Sequence, residues 1–271
     1  MFVEVRNVWY SYPKGVTALR GVDLEIDLGE FIAIIGKNGS GKTTLAKLIA
    51  GLLKPTKGSI MVNGTDISKL SAPEKAKNIG YVFQNPDHQL FTETVYDEVI
   101  FGLKSIGIPD DKLEEMTSDT LQKLGLEKYR TWHPRDLSRG LKRKLTIAAV
   151  IAMQPKLIIL DEPTCGQDRQ ESVEIMELSA KLVSEGKTVI MITHGMNLVA
   201  DFAKRVIVVN DGKVSLDSSV KEVFSRSDIL SEAGVVPPQV TQLAQSLQKF
   251  GVPSNILTVD EFIDFITKKV P

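Results

Sequence analysis

The run Gly36-Lys37-Asn38-Gly39-Ser40-Gly41-Lys42-Thr43 combines glycines, a lysine and a hydroxyl in a spacing suited to holding phosphate. Glycines let consecutive backbone N–H groups converge on an anion with no side chain in the way. Lys42 would reach the β- and γ-phosphates of a nucleotide, and the Thr43 hydroxyl would coordinate magnesium. The context is the one this P-loop pattern needs: the apolar run Phe31 to Ile35 leads into it as a strand, and Thr44 to Leu53 is expected to continue as a helix. That helix N-terminus adds partial positive charge at the same spot. Downstream, Leu157-Ile158-Ile159-Leu160-Asp161-Glu162 reads as a buried strand ending in two acids. Asp161 would stand near the magnesium shell and Glu162 near an attacking water. Alone, that strand end would be two solvated carboxylates; joined to the glycine-rich loop, it implies binding of a nucleoside triphosphate with Mg2+.

These groups need elements to position them. Short β-branched runs alternate with helix-like stretches, the pattern of a parallel sheet flanked by helices. Strands are expected at Phe2 to Val8, Val22 to Ile26, Phe31 to Ile35, Ile79 to Phe83, Leu157 to Leu160, Thr188 to Ile192 and Val206 to Val209. Asp211-Gly212 reads as a hairpin turn between Arg205–Asn210 and Lys213–Leu216. Residues 91–154 look mostly helical and interrupt the alternation, with one helix starting at Ile108-Pro109-Asp110-Asp111 and ending at Leu124-Gly125-Leu126. Val236-Pro237-Pro238 marks a break, after which Gln239 to Phe250 and Val259 to Lys269 read as short helices.

Composition narrows the classes. The chain has 271 residues, enough for one large domain and a small appendage, with 33 basic against 34 acidic side chains. That balance lacks the dense basic field expected of a nucleic-acid binder. The single cysteine, Cys165, agrees with a reducing compartment. The start, MFVEVRNVWY, lacks the basic-then-apolar layout of a secretion signal, and no apolar run approaches the ~20 residues that span a bilayer. A membrane role is expected to depend on a partner.

Further motifs select among phosphate-loop proteins. Leu137-Ser138-Arg139-Gly140-Leu141 precedes Asp161 where the ABC ATPase family places its LSGGQ signature. Gln84, after the strand Ile79 to Phe83, resembles that family's Q-loop glutamine. Thr164-Cys165-Gly166-Gln167-Asp168 resembles its D-loop, with Asp168 matching the aspartate. His194 resembles the switch histidine that contacts the γ-phosphate, and Tyr12 the aromatic that stacks on adenine. Each is weak alone, and their order together is specific. The resemblance covers nearly all of residues 1 to 225. It implies an α/β fold of the P-loop NTPase type, a mixed-sheet core with a helical signature subdomain at about 91–154. The nucleotide site would be formed by Tyr12, Gly36, Lys37, Asn38, Gly39, Ser40, Gly41, Lys42, Thr43 and Thr44. Magnesium would be held by Thr43, Gln84 and Asp161, and catalysis served by Glu162, His194 and Gln84. In the family, ATP is sandwiched between two subunits, so Ser138, Arg139 and Gly140 would cap the nucleotide of a second ATPase.

Asn85-Pro86-Asp87-His88-Gln89-Leu90-Phe91 and Thr94-Val95-Tyr96-Asp97-Glu98-Val99-Ile100-Phe101-Gly102 resemble the ATPases of energy-coupling factor transporters, which import vitamins or cobalt and nickel ions. That resemblance implies peripheral attachment at the cytoplasmic face of a membrane, with a transmembrane coupling subunit and a substrate-binding membrane subunit as partners. It also implies that residues 226–271 form a C-terminal appendage that helps dimerise. There Val240, Leu243, Leu247 and Phe250 make an apolar stripe at helical spacing, which could equally pack on its own domain.

Departures from the pattern are informative. Arg139 stands for a glycine that would let backbone approach phosphate, and Leu141 for a glutamine; Gly195, after His194, stands for the usual aspartate. Arg139 adds bulk, but it also brings a charge that could serve the γ-phosphate. The expected pairing is therefore a heterodimer with a related ATPase, in which the site capped by this chain's signature is the weaker one; a homodimer stays open. Two other classes stand against the transport reading. One is a soluble ABC ATPase uncoupled from transport, which usually carries two ATPase domains or a long coiled coil. The other is a weakly hydrolysing regulatory subunit, opposed by intact Glu162 and His194.

Overall fold

The computed structural model describes residues 1–13 and 15–269. In chain order, β1 (Val3–Ser11) and β2 (Thr17–Ile26) form an antiparallel hairpin before β3 (Phe31–Ile35) runs into the glycine-rich loop and α1 (Lys42–Ile49). Then come β4 (Lys57–Val62), the short β5 (Thr65–Asp66), α2 (Ala72–Asn78) and β6 (Ile79–Val82). Three helices follow: α3 (Val95–Ser105), α4 (Asp110–Lys123) and α5 (Arg139–Ala152). The chain returns through β7 (Leu157–Asp161), α6 (Arg169–Ser184), β8 (Thr188–Ile192), α7 (Met196–Phe202), β9 (Arg205–Asn210) and β10 (Lys213–Ser219). It ends with α8 (Val220–Ser225), α9 (Ser227–Glu232), α10 (Gln239–Ser246) and α11 (Val259–Lys269).

The strands sort into two sheets. A six-stranded sheet has the order β10-β9-β3-β8-β7-β6, parallel except for β10, which returns antiparallel on β9 through the Asp211-Gly212 turn. A four-stranded antiparallel sheet has the order β2-β1-β4-β5. The first two expected strands thus belong to this second sheet, not to the parallel one. Strand β4 escaped notice because Lys57-Gly58-Ser59 opens it with exposed or half-buried residues, and only Ile60 and Val62 are fully covered.

Strand β3 is buried along its whole length, and its two faces feed two cores. Ile32 and Ile34 join Leu45, Leu48 and Ile49 of α1 and the inner face of the antiparallel sheet. Phe31, Ala33 and Ile35 join Ile147 and Val150 of α5, Ile175 and Met176 of α6, and Phe224 of α8. A strand covered on both sides reads as an unbroken apolar run, which is why it was legible. A third cluster, including Val99, Leu103, Leu121, Leu145 and Ala148, holds α3, α4 and α5 together as the expected helical subdomain.

Two expected helices shift at their ends. The helix after the loop begins at Lys42 and stops at Ile49, not Leu53. The helix expected to reach Phe250 ends at Ser246 and passes into a 3-10 turn at Gln248–Phe250. That turn splits the apolar stripe: Val240 and Leu247 pack with Ala244, Val252 and Ile256, while Leu243 and Phe250 lie exposed, Phe250 at 71%. Residues 270 and 271 of the expected appendage lie outside the described residues. Among the described residues no helix is long and apolar enough to cross a membrane.

Candidate nucleotide site

At the C-terminal end of β3 the backbone of the loop is forced into shape by its neighbours. Gly36 has φ +146, and a β-carbon there would stand 2.1 Å from the Val209 carbonyl oxygen. Gly41 has φ +110, and a β-carbon would meet the Ala18 carbonyl oxygen at 2.7 Å. Side chains are excluded by the surrounding backbone, not merely by composition. The β9–β10 turn braces the loop from outside: Gly212 N–H donates to the Ser40 carbonyl at 2.9 Å, and Lys37 pairs with Asp211 at 2.8 Å. No side chain caps α1, so its first amides are left for a ligand.

Lys42, only 6% exposed, folds back on the loop and donates to the carbonyls of Gly36 (2.8 Å) and Lys37 (3.0 Å). Burial pushes its pKa down, while Glu162 and Asp161 pull the other way. Thr43 and Asp161, distant in sequence, meet: the hydroxyl donates to Asp161 Oδ1 at 3.2 Å. Asp161, 3% exposed, accepts a second bond on Oδ2 from Tyr81 at 2.7 Å. Tyr81 was missed. It pairs with Ile159 across β6 and β7, and so shares the face on which Asp161 emerges two positions later. A lone tyrosine in an otherwise small and aliphatic strand was the available signal. Burial and the adjacent carboxylate push its hydroxyl pKa far up, so it serves as a permanent donor.

Glu162 follows with φ +49, a left-handed conformation rare for a residue with a side chain. Such a conformation costs of order 1–3 kcal/mol and clusters at functional sites. Its amide is held by the Ile192 carbonyl at 3.0 Å. His194, just after β8, brings Nε2 to 3.3 Å from Glu162 Oε1. Burial raises the Glu162 pKa and lowers that of His194, each toward its neutral form. Nε2 thus faces the carboxylate at contact distance, and burial weakens the charge on both partners. Gly195 has an ordinary negative φ, and a β-carbon there meets only ordinary contacts, so the fold does not demand glycine at that position.

One cavity of about 520 Å3 gathers these groups, lined among others by Tyr12, Lys42, Thr43, Gln84, Glu162 and His194. Asn38, Gly39, Gly41 and Thr44 line it too, whereas Gly36 and Ser40 shape the loop from behind. Tyr12 stands at its mouth, its hydroxyl 3.0 Å from Thr44 Oγ1 and its ring edge-on to Tyr10. The oxygens of Thr43 and Asp161 suit a hard divalent ion, with Gln84 on the wall of the same cavity.

The signature segment lies elsewhere on the surface. Ser138 is the N-cap of α5, accepting from Leu141 N–H at 3.3 Å. Gly140 is buried against Glu171, whose carboxylate a β-carbon would strike at 2.1 Å. The exposed Arg139 lays its guanidinium along the D-loop, so close that a β-carbon on Gly166 would be 2.4 Å from its Cζ. Asp168 caps α6 through Glu171 N–H at 2.8 Å. Arg143, which sequence reading passed over, is fully buried behind Gln84.

The chain matches the ABC transporter family over residues 19–165. A putative ABC transporter ATP-binding protein of Methanosarcina acetivorans is 42% identical over 99% of this chain and 44% of that protein. The energy-coupling factor transporter ATP-binding protein EcfA1 of Caldanaerobacter subterraneus subsp. tengcongensis is 41% identical over 98% of this chain and 99% of its own length. The solved structure of cbiO1 from Clostridium perfringens, part of the ABC transporter complex cbiONQ, superposes with a TM-score of 0.75 at 35% identity, covering 90% of this chain and 98% of that one. The chain thus spans less than half the length of some curated relatives and nearly all of others.

Proposed function

Because this chain belongs to the ABC transporter family, we propose that it is the ATP-hydrolysing subunit of an importer of the energy-coupling factor type. The observation that carries the reading is that Lys42 and Thr43 of α1, Glu162 after β7 and His194 after β8 line one cavity, with Asp161 hydrogen-bonded to Thr43 beside it. ATP and water become ADP and phosphate, and the energy serves uptake of a vitamin or a transition-metal ion.

Each residue has a role its chemistry supports. The amides of residues 36–44 and the α1 N-terminus hold the phosphates, and Tyr12 stacks on the base. Lys42 exchanges its two loop carbonyls for phosphate oxygens, a swap that returns a full counter-charge to a buried ammonium. Thr43, Asp161 and Gln84 would hold Mg2+, which supplies charge neutralisation at the phosphoryl oxygens. Tyr81 fixes the Asp161 carboxylate by occupying its second oxygen. Burial raises the Glu162 pKa, which makes its carboxylate a better acceptor for a proton from water. His194 faces both Glu162 and the cavity, placed to contact a γ-phosphate.

One wall of the cavity is open, and a second ATPase would complete it by presenting its own signature. In return Ser138, Arg139 and Gly140 would cap that subunit's nucleotide. Arg139 lies across the approach and against Gly166, which supports a heterodimer in which this reciprocal site is the slower. The exposed pair Phe91 and Phe101, stacked edge-on beyond the Q-loop, suits docking of a transmembrane coupling subunit, with a substrate-binding membrane subunit beyond. On this reading the chain is a peripheral protein at the cytoplasmic face, with no nucleic-acid partner. Solubilised membranes bearing an affinity-tagged chain test the reading: a second ABC ATPase and a multi-spanning subunit should co-purify, with Mg2+-dependent ATP turnover abolished by Lys42→Ala. Recovery of ribosomes or DNA alone would overturn it.

A further inference from the structure

Arg143 is a cation that the proposed reaction leaves unused and that the fold has shut away completely, at 0% exposure. A guanidinium buried without a carboxylate is among the costliest groups a core can hold, and an apolar side chain would fill the space without that penalty. Its fork reaches from α5 to the Q-loop: Nη1 donates to the Phe83 carbonyl at 2.6 Å, and Nη2 donates to the Gln84 carbonyl. Nε has no partner among the described residues. A second side chain closes the same bracket. Gln89 accepts from Phe83 N–H at 3.2 Å and donates to the Thr146 carbonyl of α5 at 3.0 Å. Backbone groups of Phe83 and Gln84, just past β6, are thereby bonded to α5 by side chains.

The two ends of that connection face different nucleotides. Gln84 lines the cavity of this chain's own site, while α5 begins at Ser138, on the surface offered to a second subunit. We propose that Arg143 is a positioning residue that makes the Gln84 backbone and the Ser138 end of α5 one mechanical unit, so that occupancy of one composite site is felt at the other. The inference rests on the ATPase reading above. Arginine suits the task because its planar fork spans two successive carbonyls at fixed separation, whereas a lysine ammonium is a single point donor. Packed side chains and hydrogen bonds between rigid elements can carry such coupling, and the bracket supplies that connection.

A double-mutant cycle on the full chain, purified in its membrane complex, tests this. Arg143→Met should lower kcat about tenfold while the KM for ATP stays within about twofold, because the phosphate loop is untouched. On a Gln84→Ala background the same change should cost less than about twofold, since the side chain that Arg143 positions through the backbone carbonyl is gone. Arg143→Lys should recover kcat to within about threefold of the parent, keeping one of the two bonds. Multiplicative losses in the cycle, or an unchanged kcat in Arg143→Met, would overturn the proposal. If Arg143→Met does not fold, Arg143→Gln completes the same cycle with the same criteria. Absence of any turnover sensitive to Lys42→Ala would sink the ATPase reading and this inference with it, whereas intact turnover with a multiplicative cycle sinks this inference alone.

Discussion

Residues 36–43 and residues 137–141 each lead the chain into a helix N-terminus, and each is a candidate phosphate contact, but they are built differently. The first is shaped by backbone: Gly36 and Gly41 are pressed against the carbonyls of Val209 and Ala18, and the β9–β10 turn braces the outside. The second is shaped by side chains at the surface: Ser138 caps its own helix, and Arg139 drapes over Gly166. A site whose donors are backbone amides in a crowded frame tolerates no change at Gly36 or Gly41. A segment at the surface, such as the one around Arg139, can absorb a bulky arginine and still fold. The contrast predicts that lesions on the first side abolish function, while lesions on the second tune it.

The largest effect should come from Glu162. Replacing it with Gln keeps its volume and removes the proton acceptor, so single-turnover hydrolysis should fall by about 10^3-fold with ATP still bound. Next, Lys42→Ala should weaken ATP binding by about 100-fold in equilibrium titrations, because a buried charge-assisted contact is lost. If either variant loses less than about tenfold, the cradle is not the hydrolytic site and the contrast between the two regions fails.

The cradle was legible because its chemistry is local: loop, strand and helix are contiguous, and β3 and β7 read as unbroken apolar runs. The same holds for His194 after β8 and for the Asp211-Gly212 turn, although only the structure shows that turn bracing the loop. Contacts between distant segments were not legible. Tyr81 and Arg143 take their meaning from Asp161 and from the carbonyls of Phe83 and Gln84, which no periodicity connects to them. The division into two sheets was not legible because strand pairing, unlike strand existence, is a long-range property. In the appendage, even spacing at Val240, Leu243, Leu247 and Phe250 suggested one continuous face, but the helix ends before Leu247 and the turn swings Phe250 outward.

On the signature side the expected effects are smaller and of opposite sign. Arg139→Gly removes the side chain lying across Gly166 and restores close backbone approach. It should raise turnover at the site this chain caps by about fivefold, measured in complexes whose other site is silenced by Glu162→Gln. Turnover that falls instead would mean that Arg139 donates its charge to the γ-phosphate, and the signature would then belong with the cradle as a site that tolerates no change.

The smallest effect separates the two regions by pH. Burial holds the Glu162 carboxyl above its ordinary pKa in the folded chain, while the unfolded chain ionises at the ordinary value. Below that ordinary value both states keep the proton, and the group's contribution to stability is fully present. As pH rises toward the folded pKa, the folded state binds more protons than the unfolded one, so stability falls with pH until both are ionised. Glu162→Gln removes that penalty, so its melting temperature should exceed the parent's by on the order of a degree or two at pH 7. The gain should shrink as the pH is taken down through the carboxylate range. Arg139→Gly changes no acid and should keep the parental pH dependence. Melting curves across that range that show the same offset for Glu162→Gln at every pH would mean that the carboxylate is not strained by its burial, and that the cradle holds its base at no cost in stability.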